Sequence, residues 1–465
     1  MNLSDIKKVY ISGIGGIGVS ALARYFFNKN IEVVGSDLVR SEITEKLEQL
    51  GITIYYEQKA ENLTYAFDLL VYSAAVPAEN HERQKAKELN IPQKSYFEMI
   101  GELSRLYKTV AVSGTNGKST TTSMIAGILL DAQIDPTVIV GSQYEKLDSN
   151  FHFGKSDIFV VEACEYRAHM LLLKPQCIIL TNIEEDHLDF YKDINHIVQT
   201  FQQYVNSLKQ VDDLLIINND DINTRNLVLP KCRLVRYGLI PGADVVAGRV
   251  RKEPGKQIFE VIYYGHSLGD FELQVPGNFN IYNALAAISY ALSLDIPVGA
   301  IRESLKNYRG IWRRFELIKN DEFTVISDYA HHPTAVSSTI EAAKEFFPGR
   351  RIVAVFQPHQ RDRTQKLFND FTQSFNKADL LILSEIYDVT GREEKNVEVS
   401  SRDLVFSILE NDPVKEVHYG ANLVETINKV NSLVRADDVV LVMGAGDIYK
   451  IVQDVQVVRN VESRE

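Results

Sequence analysis

Ser113-Gly114-Thr115-Asn116-Gly117-Lys118-Ser119-Thr120-Thr121 lies between two apolar stretches. Before it runs Thr109-Val110-Ala111-Val112, and after it Met124, Ile125, Ile128 and Leu129 recur at helical spacing. The spacing predicts a strand, a glycine loop and a helix. In that order, glycines let backbone N–H groups curl around a phosphate at the helix N-terminus. Lys118 is then expected to reach the β- and γ-phosphates of ATP, and the Ser119 hydroxyl to ligate Mg²⁺. The common phosphate loop has a glycine six residues before its lysine, where this chain has Val112. The plain alternative, a strand-to-helix turn that uses Gly for its geometry, does not account for Gly-Lys-Ser in this setting.

Working outward, further apolar strands are expected at Ile158 to Val161, Cys177 to Leu180 and Leu214 to Ile217, with a helix over Ala284 to Leu294. In parallel sheets, sites form at the C-terminal ends of strands. Glu162 follows Phe159-Val160-Val161, and His187 follows Ile178-Ile179-Leu180 within Glu184-Glu185-Asp186-His187. With Ser119 these are the candidate metal ligands. Each alone reads as a solvated charge or a loop histidine.

Toward the N-terminus, strands are expected at Lys8 to Ser12, Ile31 to Gly35 and Leu69 to Ser73, and helices at Gly18 to Asn28 and Ser41 to Leu50. This alternation implies a parallel, doubly wound sheet. Gly13-Ile14-Gly15-Gly16-Ile17-Gly18 fits the dinucleotide fingerprint, and Asp37 follows the next strand. Taken alone, that points to an NAD-dependent oxidoreductase. The same amide-lined turn binds any diphosphate, and an oxidoreductase has no need of the central Gly-Lys-Ser loop. A nucleotide-binding regulator without chemistry tolerates both loops but has no use for paired metal ligands. Toward the C-terminus a third unit begins after Arg313-Arg314-Phe315, with strands expected at Thr324 to Ile326, Ile352 to Phe356, Leu380 to Leu383 and Val439 to Met443.

The bulk properties frame these motifs. A chain of 465 residues exceeds one ordinary core, so about three domains are expected. A net charge of -12 disfavours binding to nucleic acid or an anionic membrane. Three cysteines, Cys164, Cys177 and Cys232, have no metal-ligand spacing and fit a reducing, cytoplasmic setting. No signal peptide and no spanning apolar run is read, and no partner is expected beyond a monomer or weak homodimer.

Together the motifs resemble the Mur ligases, which build the peptide stem of the cell-wall precursor. The resemblance rests on Gly-Thr-Asn-Gly-Lys-Ser, Glu162-Ala163-Cys164-Glu165-Tyr166-Arg167 and Thr181-Asn182-Ile183-Glu184-Glu185-Asp186-His187-Leu188-Asp189. It continues through Pro276-Gly277-Asn278-Phe279-Asn280, Asn283-Ala284-Leu285, Trp312-Arg313-Arg314-Phe315-Glu316, Asp328-Tyr329-Ala330-His331-His332-Pro333 and Phe356-Gln357-Pro358-His359. The resemblance implies an α/β protein of three domains. These are a Rossmann-like domain over 1–106 for the UDP substrate, a phosphate-loop ATPase-like domain over 107–312, and a Rossmann-like amino-acid-binding domain over 313–465. It implies ATP and Mg²⁺ as cofactors and UDP-N-acetylmuramate with L-alanine as substrates. The branch that recycles a preformed tripeptide shares Ala-His-His-Pro-Thr-Ala and stays open as a rival.

Carried over residue by residue, the resemblance assigns Gly114, Thr115, Asn116, Gly117, Lys118, Ser119 and Thr120 to ATP. Asn280 and Asn283 are expected by the adenine, and Arg314 and Asp328 by the phosphates and ribose. Ser119 and Glu162 are expected on one Mg²⁺ and His187 on a second. Gly13, Gly15, Gly16 and Gly18 are expected at the UDP moiety, with Asp37 and Ser73 near the uridine or sugar. His331, His359 and Arg363 are expected to line the amino-acid side, and Lys118, His187, His331 and Arg363 to carry catalysis. Three positions depart from the alanine-adding pattern. Asn116 stands for the usual His, Ile17 for a small hydroxyl residue, and Gln360 for the first of two arginines after Gln-Pro-His. Arg361 adjoins Gln360 but starts from a different backbone position.

Overall fold

The computed structural model describes residues 3–188, 190–388 and 398–457. Asp189, at the end of one quoted motif, and residues 458–465 of the third expected domain lie outside them. Among the described residues, three sheets organise the chain.

The first sheet contains β1 (Lys8–Ser12), β2 (Glu32–Ser36), β3 (Thr53–Tyr55), β4 (Leu69–Tyr72) and β5 (Gln93–Ser95), all parallel, in the order β3-β2-β1-β4-β5. The order reverses at β1, so the crevice between the ends of β1 and β4 is where such a sheet offers a ligand site. The helices α1 (Ile17–Asn28), α2 (Glu42–Gln49), α3 (His81–Glu88) and α4 (Tyr96–Leu103) return the chain between strands. Their starts are written in the sequence. Ser41 with Thr44 and Ser95 with Glu98 form reciprocal capping boxes, and Asn80 accepts the N–H groups of Glu82 and Arg83.

The second sheet holds ten strands: β6 (Lys108–Ser113), β7 (Thr137–Tyr144), β8 (Ser149–His152), β9 (Ile158–Glu162), β10 (Cys177–Leu180), β11 (Leu214–Asn218), β12 (Arg233–Gly238), β13 (Val245–Glu253), β14 (Lys256–Tyr263) and β15 (His266–Leu273). Their order is β15-β14-β13-β12-β11-β10-β6-β9-β7-β8. β6 lies between β9 and β10, both parallel to it, and is followed by α5 (Lys118–Asp131). Val110, Ala111, Val112 and the middles of β9 and β10 are fully buried, which is why these strands read as unbroken apolar runs.

The third sheet comprises β16 (Glu316–Asn320), β17 (Thr324–Asp328), β18 (Ile352–Phe356), β19 (Leu380–Ser384), β20 (Glu416–Gly420) and β21 (Val439–Met443), in the order β16-β17-β21-β18-β19-β20. Only β16, an irregular edge strand, runs antiparallel.

By packing, the chain divides into two compact units. One is Met1–Gly248 with Val261–Gly269 and Tyr282–Leu305; the other is Arg249–Glu260 with Asp270–Ile281 and Lys306–Glu465. Within the first unit, the apolar faces of the first two sheets merge into one core containing Val9, Leu22, Phe26, Phe159, Ile178 and Phe201. Tyr25 of α1 packs edge-on against Phe151 and Phe153, and Asn150 Nδ2 donates to the Ile17 carbonyl at 2.5 Å.

Every strand expected from the sequence is present within a residue or two. The helix expected from Ala284 begins instead at Asn278 and runs to Ser293, because Gly277 (φ +87°) makes the turn before it. Asn280 and Asn283, which break the apolar pattern, therefore lie in its first and second turns. No helix among the described residues is long and apolar enough to cross a membrane.

Candidate active site

The chain leaves β6 through Ser113 and enters α5 at Lys118, and two glycines make that path sterically possible. Gly114 has φ +134°, and a Cβ there would run into Thr181 Oγ1 and the backbone of Asn182. Gly117 has φ +85° at the helix N-cap, where a Cβ would strike Asn283 Oδ1. Both positions are closed to other residues by conformation and by space. The segment after β10 braces the loop: Thr115 N donates to Asn182 O (2.9 Å), Asn116 N to Asn182 Oδ1 (2.9 Å) and Glu184 N to Thr115 Oγ1 (2.9 Å). Thr181 Oγ1 donates to Asn116 O (2.5 Å), and Asn116 Nδ2 to Glu184 Oε2 (3.2 Å). Thr120 lies half-buried in the first turn of α5.

Lys118 folds over this loop. Its ammonium donates to Gly114 O (2.6 Å) and Thr115 O (3.0 Å) and pairs with the Glu165 carboxylate, 2.8 Å to the nearer oxygen. Glu165 is 3% exposed, so this is a buried ion pair. Burial acts to lower the Lys118 pKa, and the Glu165 carboxylate leads the groups that outweigh it, leaving it raised. Burial likewise acts to raise Glu165, and Lys118 and His187 reverse this and hold it low. His187, with φ +54°, brings Nε2 to 3.5 Å from Glu165 Oε1 and stacks at a tilt on Tyr166. Glu165 thus joins the loop lysine to the strand-end histidine. No role for it is expected from the sequence, although it sits three residues beyond Glu162 in a quoted motif.

Ser119 Oγ donates to Glu162 Oε2 at 3.0 Å, and the Gly141 N–H donates to the other carboxylate oxygen. A hydroxyl and a carboxylate held this close supply the hard oxygen ligands that Mg²⁺ takes. A cation between them fits. His187 offers a nitrogen and is bonded toward Glu165. Among the described residues no group of three His, Cys, Asp or Glu converges on one point. Asn283 Oδ1 accepts from Thr121 Oγ1 at 3.2 Å, which ties the helix Asn278–Ser293 to α5.

In the first sheet, Gly13 (φ +75°) and Ile14 donate their N–H groups to Ser36 O at 2.8 and 2.9 Å. The Gly15 N–H donates to Asp37 Oδ2 (2.8 Å). A Cβ at Gly13 would meet Ser73, one at Gly15 would meet Asp37, and one at Gly18 would lie 2.7 Å from the Tyr96 ring. Gly16 N closes the turn onto Gly13 O (3.2 Å). The structure therefore gathers Gly13, Gly15, Gly16, Gly18, Asp37 and Ser73 around one turn at the β1 switch point.

In the second unit, Asp328 ends β17 and accepts the N–H groups of Phe315 (2.6 Å) and Ala330 (2.7 Å). Its burial pushes its pKa up against the opposing pull of Arg314. Arg314 lies over the Tyr329 ring, whereas Arg313 is buried and donates to the Gly444 and Gly446 carbonyls. His331 Nδ1 lies 3.0 Å from Tyr329 O, its ring centroid is 6.4 Å from that of His359, and His359 stacks on Tyr387. Asn280 Nδ2 donates to Pro276 O. Gln360 has φ +70° and precedes the short helix that carries Arg361 and Arg363. The Arg361 guanidinium is engaged by Asp388 (3.0 to 3.2 Å) and the Val399 carbonyl (2.7 Å).

Residues 8–108 match the Mur ligase family catalytic domain, residues 112–291 the Mur ligase middle domain, and residues 313–446 the Mur ligase glutamate ligase domain. The chain belongs to the Mur ligase family. Within it, the chain is 41% identical to the UDP-N-acetylmuramate–L-alanine ligase of Clostridium novyi, with 96% of each covered. It is also 41% identical to the enzyme of that name from Salinibacter ruber, covering 96% of this chain and 94% of that one. Among solved structures it is similar to the UDP-N-acetylmuramate-alanine ligase of Thermotoga maritima (28% identity, TM-score 0.82, 96% and 98% covered). It shares its fold with a murein peptide ligase of Psychrobacter arcticus (24% identity, TM-score 0.70, 97% and 98% covered).

Proposed function

We propose that this chain is an ATP-dependent ligase that joins L-alanine to the lactyl carboxylate of UDP-N-acetylmuramate. The observation that carries the reading is the phosphate loop, braced by Thr181 and Asn182, with Lys118 and the Ser119–Glu162 pair at its mouth. Full-length similarity to L-alanine ligases supports the choice of substrates.

A carboxylate does not acylate an amine in water, because the leaving group would be oxide. In the proposed reaction a carboxylate oxygen attacks the γ-phosphorus of ATP, the bond to the β-phosphate oxygen breaks, and ADP departs. The alanine amine then attacks the acyl-phosphate carbonyl, loses a proton, and expels inorganic phosphate as the amide forms. Lys118 would shift from the loop carbonyls toward the transferring phosphoryl group and neutralise charge there. Ser119 and Glu162 would hold Mg²⁺, which when bound draws charge from the phosphate oxygens. The glycine turn after β1 would seat the UDP diphosphate on its amides. Asn280, Asn283, Arg314 and Asp328 would contact the nucleotide, and His331, His359 and Arg363 would orient the amino acid. Domain limits near residues 106 and 312 and a cytoplasmic setting complete the proposal.

The test is phosphate release with ATP, UDP-N-acetylmuramate and a panel of twenty amino acids plus the tripeptide. L-alanine-dependent release is expected. Preference for the tripeptide would move the chain to the recycling branch, and NADH oxidation without ATP would defeat the reading altogether.

A further inference from the structure

Beneath the glycine turn of the first sheet lies a carboxyl group that touches no solvent. Glu82, in the first turn of α3, is 0% exposed. Four side chains donate to it: Tyr10 Oη and Asn62 Nδ2 to Oε1 (2.6 and 2.9 Å), and Ser12 Oγ and Ser36 Oγ to Oε2 (2.6 and 2.7 Å). The network extends outward: Gln58 Nε2 donates to Ser12 Oγ (3.5 Å), and Asn80, the cap of α3, donates to Gln58 Oε1 (2.8 Å). Burying a carboxyl is costly unless its oxygens are fully bonded, and a well-packed apolar side chain would fill the same space without that requirement. What the carboxyl adds is placement.

The placement falls on the turn. Ser12 and Ser36 face each other in register as the last residues of β1 and β2. Ser12 is followed by Gly13. Ser36 supplies the carbonyl that accepts the Gly13 and Ile14 N–H groups, and it precedes Asp37, whose carboxylate accepts the Gly15 N–H. One carboxylate oxygen therefore clamps both strand ends from which the turn amides hang. We propose that Glu82 is a positioning residue for the diphosphate of the nucleotide-linked substrate. The inference rests on the reading of this turn as the UDP site. Being fully enclosed, Glu82 acts through Ser12 and Ser36 and touches no substrate.

Glu82→Gln preserves the shape but replaces one acceptor oxygen with an N–H₂ group beside Ser12 and Ser36 or beside Tyr10 and Asn62. Its KM for UDP-N-acetylmuramate is expected to rise about tenfold, the scale of one lost buried hydrogen bond. Its kcat and its KM for ATP should stay within about twofold, since the phosphate loop is on another sheet. Glu82→Asp, which keeps both oxygens, should recover part of the loss. Calorimetric titration of UDP into wild type and variant reads the same effect without turnover. If wild type binds UDP and Glu82→Gln binds it equally well, the positioning role is refuted while the UDP reading stands. If wild type itself takes up no UDP, the reading of the turn fails and the inference falls with it. Should Glu82→Gln not fold, Ser36→Ala removes one donor alone. A selective rise in the KM for the UDP substrate then supports the clamp, and an unchanged KM overturns it.

Discussion

Lys118 and Glu165 show how two side chains constrain each other in a site built for anions. The pair is buried, so removing one member strands the other. Lys118→Ala is expected to lower phosphate release by about a hundred- to a thousandfold, as loss of a preorganised charge stabiliser does. It should also lower the melting temperature, because an uncompensated buried carboxylate costs about 3–5 kcal/mol. Adding Glu165→Gln should restore much of the melting temperature and none of the activity. That split separates the electrostatic role of the ammonium from its part in folding. Near-normal turnover in Lys118→Ala would sink its assignment. Glu165 itself is not singled out by the sequence, since nothing in a glutamate three residues beyond the end of β9 announces that it faces a lysine 47 positions earlier.

At the scale of elements, the strand–loop–helix unit of β6 and α5 depends on backbone that only glycine adopts. Gly114→Ala should force the left-handed φ and the Thr181 collision together, breaking the Thr115 and Asn116 bonds to Asn182. The expected result is loss of ADP binding by calorimetry, with UDP binding unchanged in the same sample. A variant that binds ADP normally would show that the loop bends without Gly114. Ser41, Asn80 and Ser95 start their helices by local chemistry, a side chain meeting an N–H two or three residues on, yet only the Ser41 helix is among those expected from the sequence. β3 and β5 went unread because three-residue strands that are largely solvent-facing carry no apolar run. The meander β13 to β15 has alternating and partly exposed residues, which a search for continuous apolar strands passes over.

At the scale of the molecule, the first two sheets share one core, and an imidazole lies at their junction. His169 stacks on Phe97 of α4 with ring centroids 3.6 Å apart. Burial first, and Arg167 second, bring its pKa down to about 4. An unfolded histidine titrates near about 6.5, so between those values the unfolded chain binds a proton that the folded chain refuses. His169 therefore contributes stability that is complete above about pH 6.5 and is lost as the pH falls toward 4. The melting temperature of wild type should drop more between pH 7.5 and 4.5 than that of His169→Phe, which keeps the stacking and cannot take the proton. Equal pH dependence of the two would refute the assignment.

The sequence by itself determined the three α/β segments, the phosphate loop, the glycine turn and the family, because each is encoded in short-range order: an apolar run, a glycine at a fixed offset, a motif of adjoining residues. Distances across the chain were decided only by the tertiary structure. It set Glu165 against Lys118, closed Glu82 under Ser12 and Ser36, turned Arg361 toward Asp388, and fused the first two sheets on one core. Those contacts join residues tens of positions apart, and their partners are chosen by strand order and packing, which leave no periodic trace along the chain.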